Sequence, residues 1–419
     1  MADRGGQRLP GAPAADTEHR IVLHVDMDCF YAACERLREP DLVGEPVVVG
    51  MGYEPGEAHG AVATASYEAR EYGVESAQAI STALERLPRM ADAVDDPDID
   101  TADAGYYRPV DMEYYESVGE DVKAILHDCA AVVREVSIDE AYLDVTDRTA
   151  WEVAEGFGRY IKDRIAREVG VTASVGVAPN MSTAKIAADA DKPDGLVVVE
   201  PDDVQSFLAP LDIEVLHGIG PVTARELREA DIETIDDLAE TDPDWLVDQY
   251  GERGRELYAR ARGHDEREVT PVGKPKSLSR ESAFTDPVEA SAEKRDRVRT
   301  LARAVADRAR RKGALYQTIG IKAVEPPFDV HTRAHSLPGP VDDPELLEEI
   351  ALGLLAEFES IPIRKVGVRV ANLSFADQEQ AGLEGWEADD THSPSPSPID
   401  SADSEDTDGQ ASLTDFEWD

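Results

Sequence analysis

Val133-Arg-Glu-Val-Ser-Ile-Asp-Glu-Ala-Tyr-Leu-Asp-Val-Thr146 is the stretch on which the reading of the fold turns. Apolar and β-branched residues alternate through Val136 and Ile138, then through Ala141, Leu143 and Val145, which predicts two strand arms. Between the arms stand two adjacent carboxylates, Asp139 and Glu140. Like charges a few ångströms apart disfavour joint ionisation unless something positive lies between them. Taken alone, the pair reads equally well as an acidic turn held in solvent, and the rest of the chain has to separate the two readings.

Upstream, Ile21-Val-Leu-His-Val25 is a compact apolar run, a strand ending in Asp26-Met-Asp28. If that strand lies beside the hairpin, Asp26, Asp139 and Glu140 gather at neighbouring strand ends. Three carboxylates make a hard-oxygen site that suits Mg²⁺ held together with substrate phosphates. Two such ions about 4 Å apart clamp the attacking and leaving oxygens of an in-line phosphoryl displacement.

The 419 residues carry 88 acidic against 42 basic side chains, a formal net charge of −46. Such a surface repels nucleic acid and anionic membranes on average. Only 10 of the 42 bases are lysine, and an acidic, Lys-poor surface suits a cytoplasm of molar salt, where the Debye length is about 3 Å. The pattern is that of a halophilic protein, so the acidity by itself does not exclude DNA. Three cysteines, Cys29, Cys34 and Cys129, form no CxxC pair, which indicates neither zinc nor a disulfide framework. No run approaches 18 apolar residues, and the expectation is a cytoplasmic monomer without a membrane partner.

Around the hairpin, strands alternate with helices, which argues for a layered α+β domain. Strands are expected at 46–49, 61–64 and 171–177, and helices at 29–37, 67–72, 112–126 and 151–168. Residues 91–103 read as an exposed acidic insertion. From Lys192 the chain turns helical around Leu216-His-Gly-Ile-Gly-Pro-Val-Thr-Ala224, where a Gly-x-Gly turn opening a helix exposes N–H groups to a phosphate. This is the helix-hairpin-helix pattern of sequence-independent DNA binding. Beyond a linker, residues 276–373 follow a β-α-β-β-α-β order. Residues 271–375 hold 17 basic against 15 acidic side chains, so a segment at +2 sits in a chain at −46. Cations concentrated in one domain of an acidic protein point to a phosphate-binding face.

The segments Val25-Asp-Met-Asp-Cys-Phe-Tyr31, Ala61-Val-Ala-Thr-Ala-Ser-Tyr-Glu-Ala-Arg70, Ser137-Ile-Asp-Glu-Ala-Tyr-Leu-Asp144, Ser174-Val-Gly-Val-Ala-Pro-Asn180, Ala184-Lys-Ile-Ala-Ala188 and Gly218-Ile-Gly220 resemble, in their order, those of Y-family DNA polymerases of the DNA polymerase IV type. The resemblance spans about residues 20–375. It implies an error-prone translesion enzyme, built as a right hand with palm, small fingers, helical thumb and little finger. On that pattern 19–29 and 89–190 are palm, 30–88 fingers, 191–269 thumb, 270–275 linker and 276–376 little finger. Residues 1–18 and 377–419 are expected to be disordered.

The resemblance also implies roles. Asp26, Asp139 and Glu140, with the Met27 backbone carbonyl, would hold two Mg²⁺ ions. Tyr31 would be a steric gate against ribose. Phe30, Tyr31, Tyr67, Arg70 and Lys185 would bind the dNTP, and Gly218, Gly220, Thr223, Lys276 and Arg280 the primer-template DNA. Cys29 stands where an aromatic often precedes the gate pair. At the chain end, Gln410, Leu413 and Phe416 have the spacing of a sliding-clamp-binding peptide, although Glu417 takes the second aromatic position and Trp418 comes one later. A nucleotide cyclase would share the two-metal chemistry but needs no grip on a duplex. A non-catalytic DNA-binding scaffold would be expected to have lost a carboxylate, and all three are present.

Overall fold

The computed structural model describes residues 20–375. The terminal segments, including Gln410, Leu413 and Phe416, lie outside the described residues. Contacts divide the chain between Val272 and Gly273 into two compact units. In chain order the described strands are β1 Val22–Met27, β2 Val47–Met51, β3 Ala61–Ala65, β4 Tyr106–Pro109, β5 Val132–Glu135, β6 Glu140–Asp144, β7 Ala173–Ala178, β8 Leu196–Val198, β9 Ser277–Val288, β10 Ala314–Glu325, β11 Asp329–Val341 and β12 Ile363–Phe375.

The first unit is organised on a five-stranded sheet of order β5-β6-β1-β7-β8. β1 sits at its centre, antiparallel to both β6 and β7, so its side chains are buried on both faces. Leu23 and Val25 face a core shared with the helices Met112–Cys129 and Ala154–Glu168. Val22 and, from β6, Tyr142 face the other way, into a core with the helix Met181–Ala190 and the helical segment that follows.

The hairpin differs from expectation in its first arm, which ends at Glu135. Ile138 lies in the turn, and so does Val136, about half exposed. There its N–H and that of Ser137 both donate to the Glu140 carbonyl, at 3.0 and 3.2 Å. The alternation of residue types ran past the last ladder pair, Glu135–Ala141, which only the partner strand could define.

A second, three-stranded sheet of order β3-β2-β4 carries its own small core of Val48, Val62, Ile80, Leu87 and Tyr107. β4 pairs parallel to β2 from Val47–Tyr106 to Gly50–Pro109. Through β4, residues 106–109 thus pair with the segment expected to be fingers. A long-range parallel pairing leaves no local sequence signal. The acidic stretch 91–103 forms a short helix, Met90–Asp95, and a 3₁₀ turn, Thr101–Asp103, exposed apart from the buried Ala93 and the half-buried Ile99.

In the helical part of the first unit, Gly218-Ile-Gly220 leads into the helix Pro221–Glu229. What precedes it is a single 3₁₀ turn, Ile213–Val215, rather than a full helix. The second unit is a four-stranded antiparallel sheet of order β11-β10-β12-β9, with the helices Ser291–Arg311 and Pro344–Leu355 packed around one core.

Gly176 of β7 explains how the helix Met181–Ala190 comes to lie directly on the sheet. A Cβ built there would stand 2.0 Å from the Ala184 carbonyl oxygen and 2.3 Å from the Ala188 nitrogen. The absent side chain is what lets helix and strand backbones touch. Gly176→Ala is expected to lower stability by about 1–3 kcal/mol through overpacking, read as a lower midpoint in thermal unfolding. An unchanged midpoint would show that the helix is free to shift.

Candidate active site

β1 and β6 run antiparallel with Asp26 directly opposite Glu140. Sheet register thus brings together two carboxylates 114 positions apart in sequence. Burial of an unpaired carboxylate pair is unfavourable, and the structure supplies cations. Lys192 Nζ lies 2.7 Å from Asp26 Oδ1 and 2.7 Å from Asp189 Oδ1. Lys185 Nζ lies 2.8 Å from Glu140 Oε2, and 4.0 Å from Asp26 Oδ2. Both lysines come from one place: the helix Met181–Ala190 lying on Gly176 and the loop that follows it.

That loop is itself fastened. Asp28, almost fully buried, accepts from the Asp194 N–H at 2.8 Å, from Ser174 Oγ at 2.8 Å and from the Tyr67 hydroxyl at 3.3 Å. Ser174 Oγ in turn accepts from the Gly195 N–H at 3.1 Å. The second aspartate of Asp26-Met-Asp28 therefore holds the loop that carries Lys192 to the first. At its start the helix Met181–Ala190 is capped by Asn180, whose side chain accepts from Thr183 N–H at 2.9 Å, while Ser182 N–H donates to Asp265 at 3.1 Å.

The carboxyls respond in opposite directions. Burial pushes Asp26 up, partly offset by Lys192. Glu140 is held down to about 2, first by its hydrogen bond to His24 and, against the opposing effect of burial, by Lys185 as well. For Lys192, burial works against the charge, but Asp26 and Asp189 outweigh it and raise the ammonium above its ordinary range.

Asp139 stands apart from this group. Its carboxylate is engaged by the Ser137 hydroxyl, and its backbone carbonyl accepts from Met27 N–H at 2.9 Å. Among the described residues the close group of potential ligands is instead His24, Asp26 and Glu140, whose ligand atoms all lie within 4.8 Å of one another. Two carboxylate donors with ammonium groups seated against them fit a hard divalent cation, the ammoniums standing in for its charge.

Tyr31 lies in the first turn of the helix Phe30–Arg38 and stacks on Tyr115, with ring centroids 4.6 Å apart and 17° between planes. Tyr115 is pinned by a 2.6 Å hydrogen bond from its hydroxyl to Glu35. The Phe30 side chain is 1% exposed within the main core, so its ring packs inward and what it can offer a nucleotide is backbone. Tyr67 and Arg70 do share one face of their short helix, with the guanidinium 4.7 Å from the ring centre.

Around Gly218-Ile-Gly220, Arg260 donates to the His217 carbonyl at 3.1 Å, and Arg253 donates to the Gly218 carbonyl. Gly218 has φ +100°, and a Cβ on Gly220 would meet nothing within 4 Å. The Thr223 side chain is buried and its hydroxyl accepts from Arg253 at 3.4 Å. In the second unit, Lys276 and Arg280 are exposed at the start of β9, and Lys322 and Lys365 both reach Glu281.

Sequence reasoning missed His24, Asp28, Asp189 and Lys192. The repeated aspartate at 28 and the Lys192-Pro-Asp-Gly195 turn were visible, but their convergence required the fold.

Glu140 makes a pH signature. Its folded pKa is depressed, so it contributes stability that is fully present above the ordinary glutamate range of about 4.3. That contribution is lost as pH falls toward 2. The stability difference between wild type and Glu140→Gln is therefore expected to change between pH 5 and 2 and to stay flat above. Urea unfolding across that range measures it, and no pH dependence of the difference would count against the pairing.

Comparison with known proteins follows the same outline. Models of the impB/mucB/samB family match residues 25–189, its C-terminal domain 275–383, and its HHH motif 201–232. The chain is 67% identical over 386 residues to a DNA polymerase IV of Halobacterium salinarum, covering 92% of each. It is 40% identical to a DNA polymerase IV of Methanoculleus marisnigri, over 88% of this chain and 98% of the other. Among solved structures, a Y-family DNA polymerase chimera matches with TM-score 0.72 and 29% identity, over 85% of this chain and 99% of that one. An insertion ternary complex of Dbh DNA polymerase matches with TM-score 0.60 and 28% identity, with the same coverage. No helix among the described residues is long and apolar enough to cross a membrane.

Proposed function

The chain belongs to the impB/mucB/samB family and is a DNA-directed DNA polymerase of the Y-family translesion type, and on that premise we propose how its residues extend a primer during DNA repair and damage tolerance. The primer 3′-hydroxyl attacks the α-phosphate of a dNTP in line, and pyrophosphate leaves. The observation that carries this reading is the facing pair Asp26 and Glu140 with Lys185 and Lys192 against them. Two Mg²⁺ ions, when bound, supply the charge stabilisation for such a transfer.

Asp26, Asp139, Glu140 and the Met27 carbonyl would hold the metals, Asp139 by giving up its Ser137 contact. Lys185 and Lys192 would be free to exchange carboxylates for triphosphate oxygens, with Tyr67 and Arg70 completing the phosphate grip. Tyr31 is the steric gate, its ring excluding a ribose 2′-hydroxyl. Gly218 and Gly220 offer backbone to DNA phosphates, with Lys276 and Arg280 as further contacts. The palm is 19–29 and 110–190, the fingers 30–109, the thumb 191–269 and the little finger 276–376. The enzyme acts as a cytoplasmic monomer and is tethered to a sliding clamp through Gln410, Leu413 and Phe416.

Primer extension in molar KCl with Mg²⁺ tests these assignments together. The wild type extends and Asp139→Ala falls to background. Tyr31→Ala raises ribonucleotide incorporation, and removal of 410–419 abolishes only the stimulation by clamp. Equal extension by wild type and Asp139→Ala would sink the catalytic assignment, and unchanged dNTP/rNTP discrimination would remove Tyr31 from its role.

A further inference from the structure

His24 is fully buried in β1, two residues before Asp26, with Nε2 3.1 Å from Glu140 Oε2. Its ring packs on Tyr142, its register partner on β6, at 4.6 Å between centroids. On the other side its register partner is Gly176, the residue that admits the helix Met181–Ala190. Among the described residues its Nδ1 is buried and meets no hydrogen-bond partner. A proton on Nδ1 would therefore be a buried donor with nothing to receive it, which is costlier than a bare lone pair. The tautomer that satisfies the site carries its proton on Nε2 and donates it to Glu140.

We infer that His24 is a positioning residue for the metal site: its Nε2–H fixes the Glu140 carboxylate in the orientation that receives a divalent cation. This rests on the reading of Asp26 and Glu140 as metal ligands. Glu140 Oε2 has two donors, His24 and Lys185. They differ in mobility. Lys185 is a flexible side chain, 28% exposed, with Asp26 and Asp189 also in reach. It is free to leave when a triphosphate arrives. His24 is 0% exposed in the central strand and cannot follow. After the lysine exchanges partners, the imidazole is the donor that still holds Oε2. His24 is not itself a ligand, because Nε2 is spent on the carboxylate and hard divalent cations of this class prefer oxygen. Imidazole–carboxylate contacts behind a metal ligand tune affinity by about 10–100-fold.

The test is Mn²⁺ binding to the full chain in molar KCl, followed by the electron paramagnetic resonance of the free ion. His24→Phe keeps a ring of similar size without the donor, and is expected to weaken the tightest Mn²⁺ site about tenfold. His24→Gln restores a donor and is expected to recover most of that loss. The Mg²⁺ concentration for half-maximal extension should move in parallel. Thermal unfolding checks each variant, and His24→Met replaces the Phe variant if that one does not fold. Wild-type Mn²⁺ affinity in a folded non-donor variant would overturn the inference, as would a Gln variant no better than the non-donor. Glu140→Gln separates the two levels. If it weakens Mn²⁺ binding while His24→Phe does not, only the positioning role falls, and if neither does, the metal-site reading falls with it.

Discussion

The repulsion between Asp26 and Glu140, set face to face by the pairing of β1 with β6, is the constraint on which the site depends. Two carboxylates withdrawn from water in this way are stable together only with positive charge between or beside them. Lys185 and Lys192 provide it, and much of the surrounding structure exists to deliver those two ammonium groups. Gly176 lets the lysine-bearing helix lie on the sheet, Asn180 and Asp265 satisfy its first N–H groups, and Asp28 ties down the loop that ends it. The active-site carboxylates and the helix-to-sheet packing are thus one problem solved once.

Salt gives this arrangement a second meaning. At molar ionic strength the Debye length of about 3 Å removes most long-range repulsion from a chain of net charge −46. Direct, partly buried pairs at 2.7–2.8 Å are much less affected. The same screening weakens the diffuse attraction of a basic face for DNA. The +2 balance of residues 271–375 then matters less as a field than as a set of side chains available for local contacts.

Much of the fold was legible in the sequence. A compact apolar run marked β1 and period-two alternation marked β6, and the β-α-β-β-α-β order of the C-terminal unit followed from the sequence pattern. The chain could also disclose the acidic hairpin, the Gly-x-Gly turn and the Tyr67–Arg70 spacing, because each is a local pattern. Where the reading failed, the deciding interaction was non-local. Val136 and Ile138 left their strand arm for want of a ladder partner, and β4 joined β2 across more than fifty residues.

What the sequence by itself determined was the inventory: strands with carboxylates at their ends, helices with lysines, and a linker between two units. Only the tertiary structure decided which charges meet. Register put Asp26 opposite Glu140 and placed His24 behind it, while Asp139, adjacent in sequence, turned to Ser137. Lys192 was drawn in by a loop anchored on Asp28. The reason is physical. Periodicity records which face of an element is buried, but the partner of a buried charge is set by packing between elements distant in sequence.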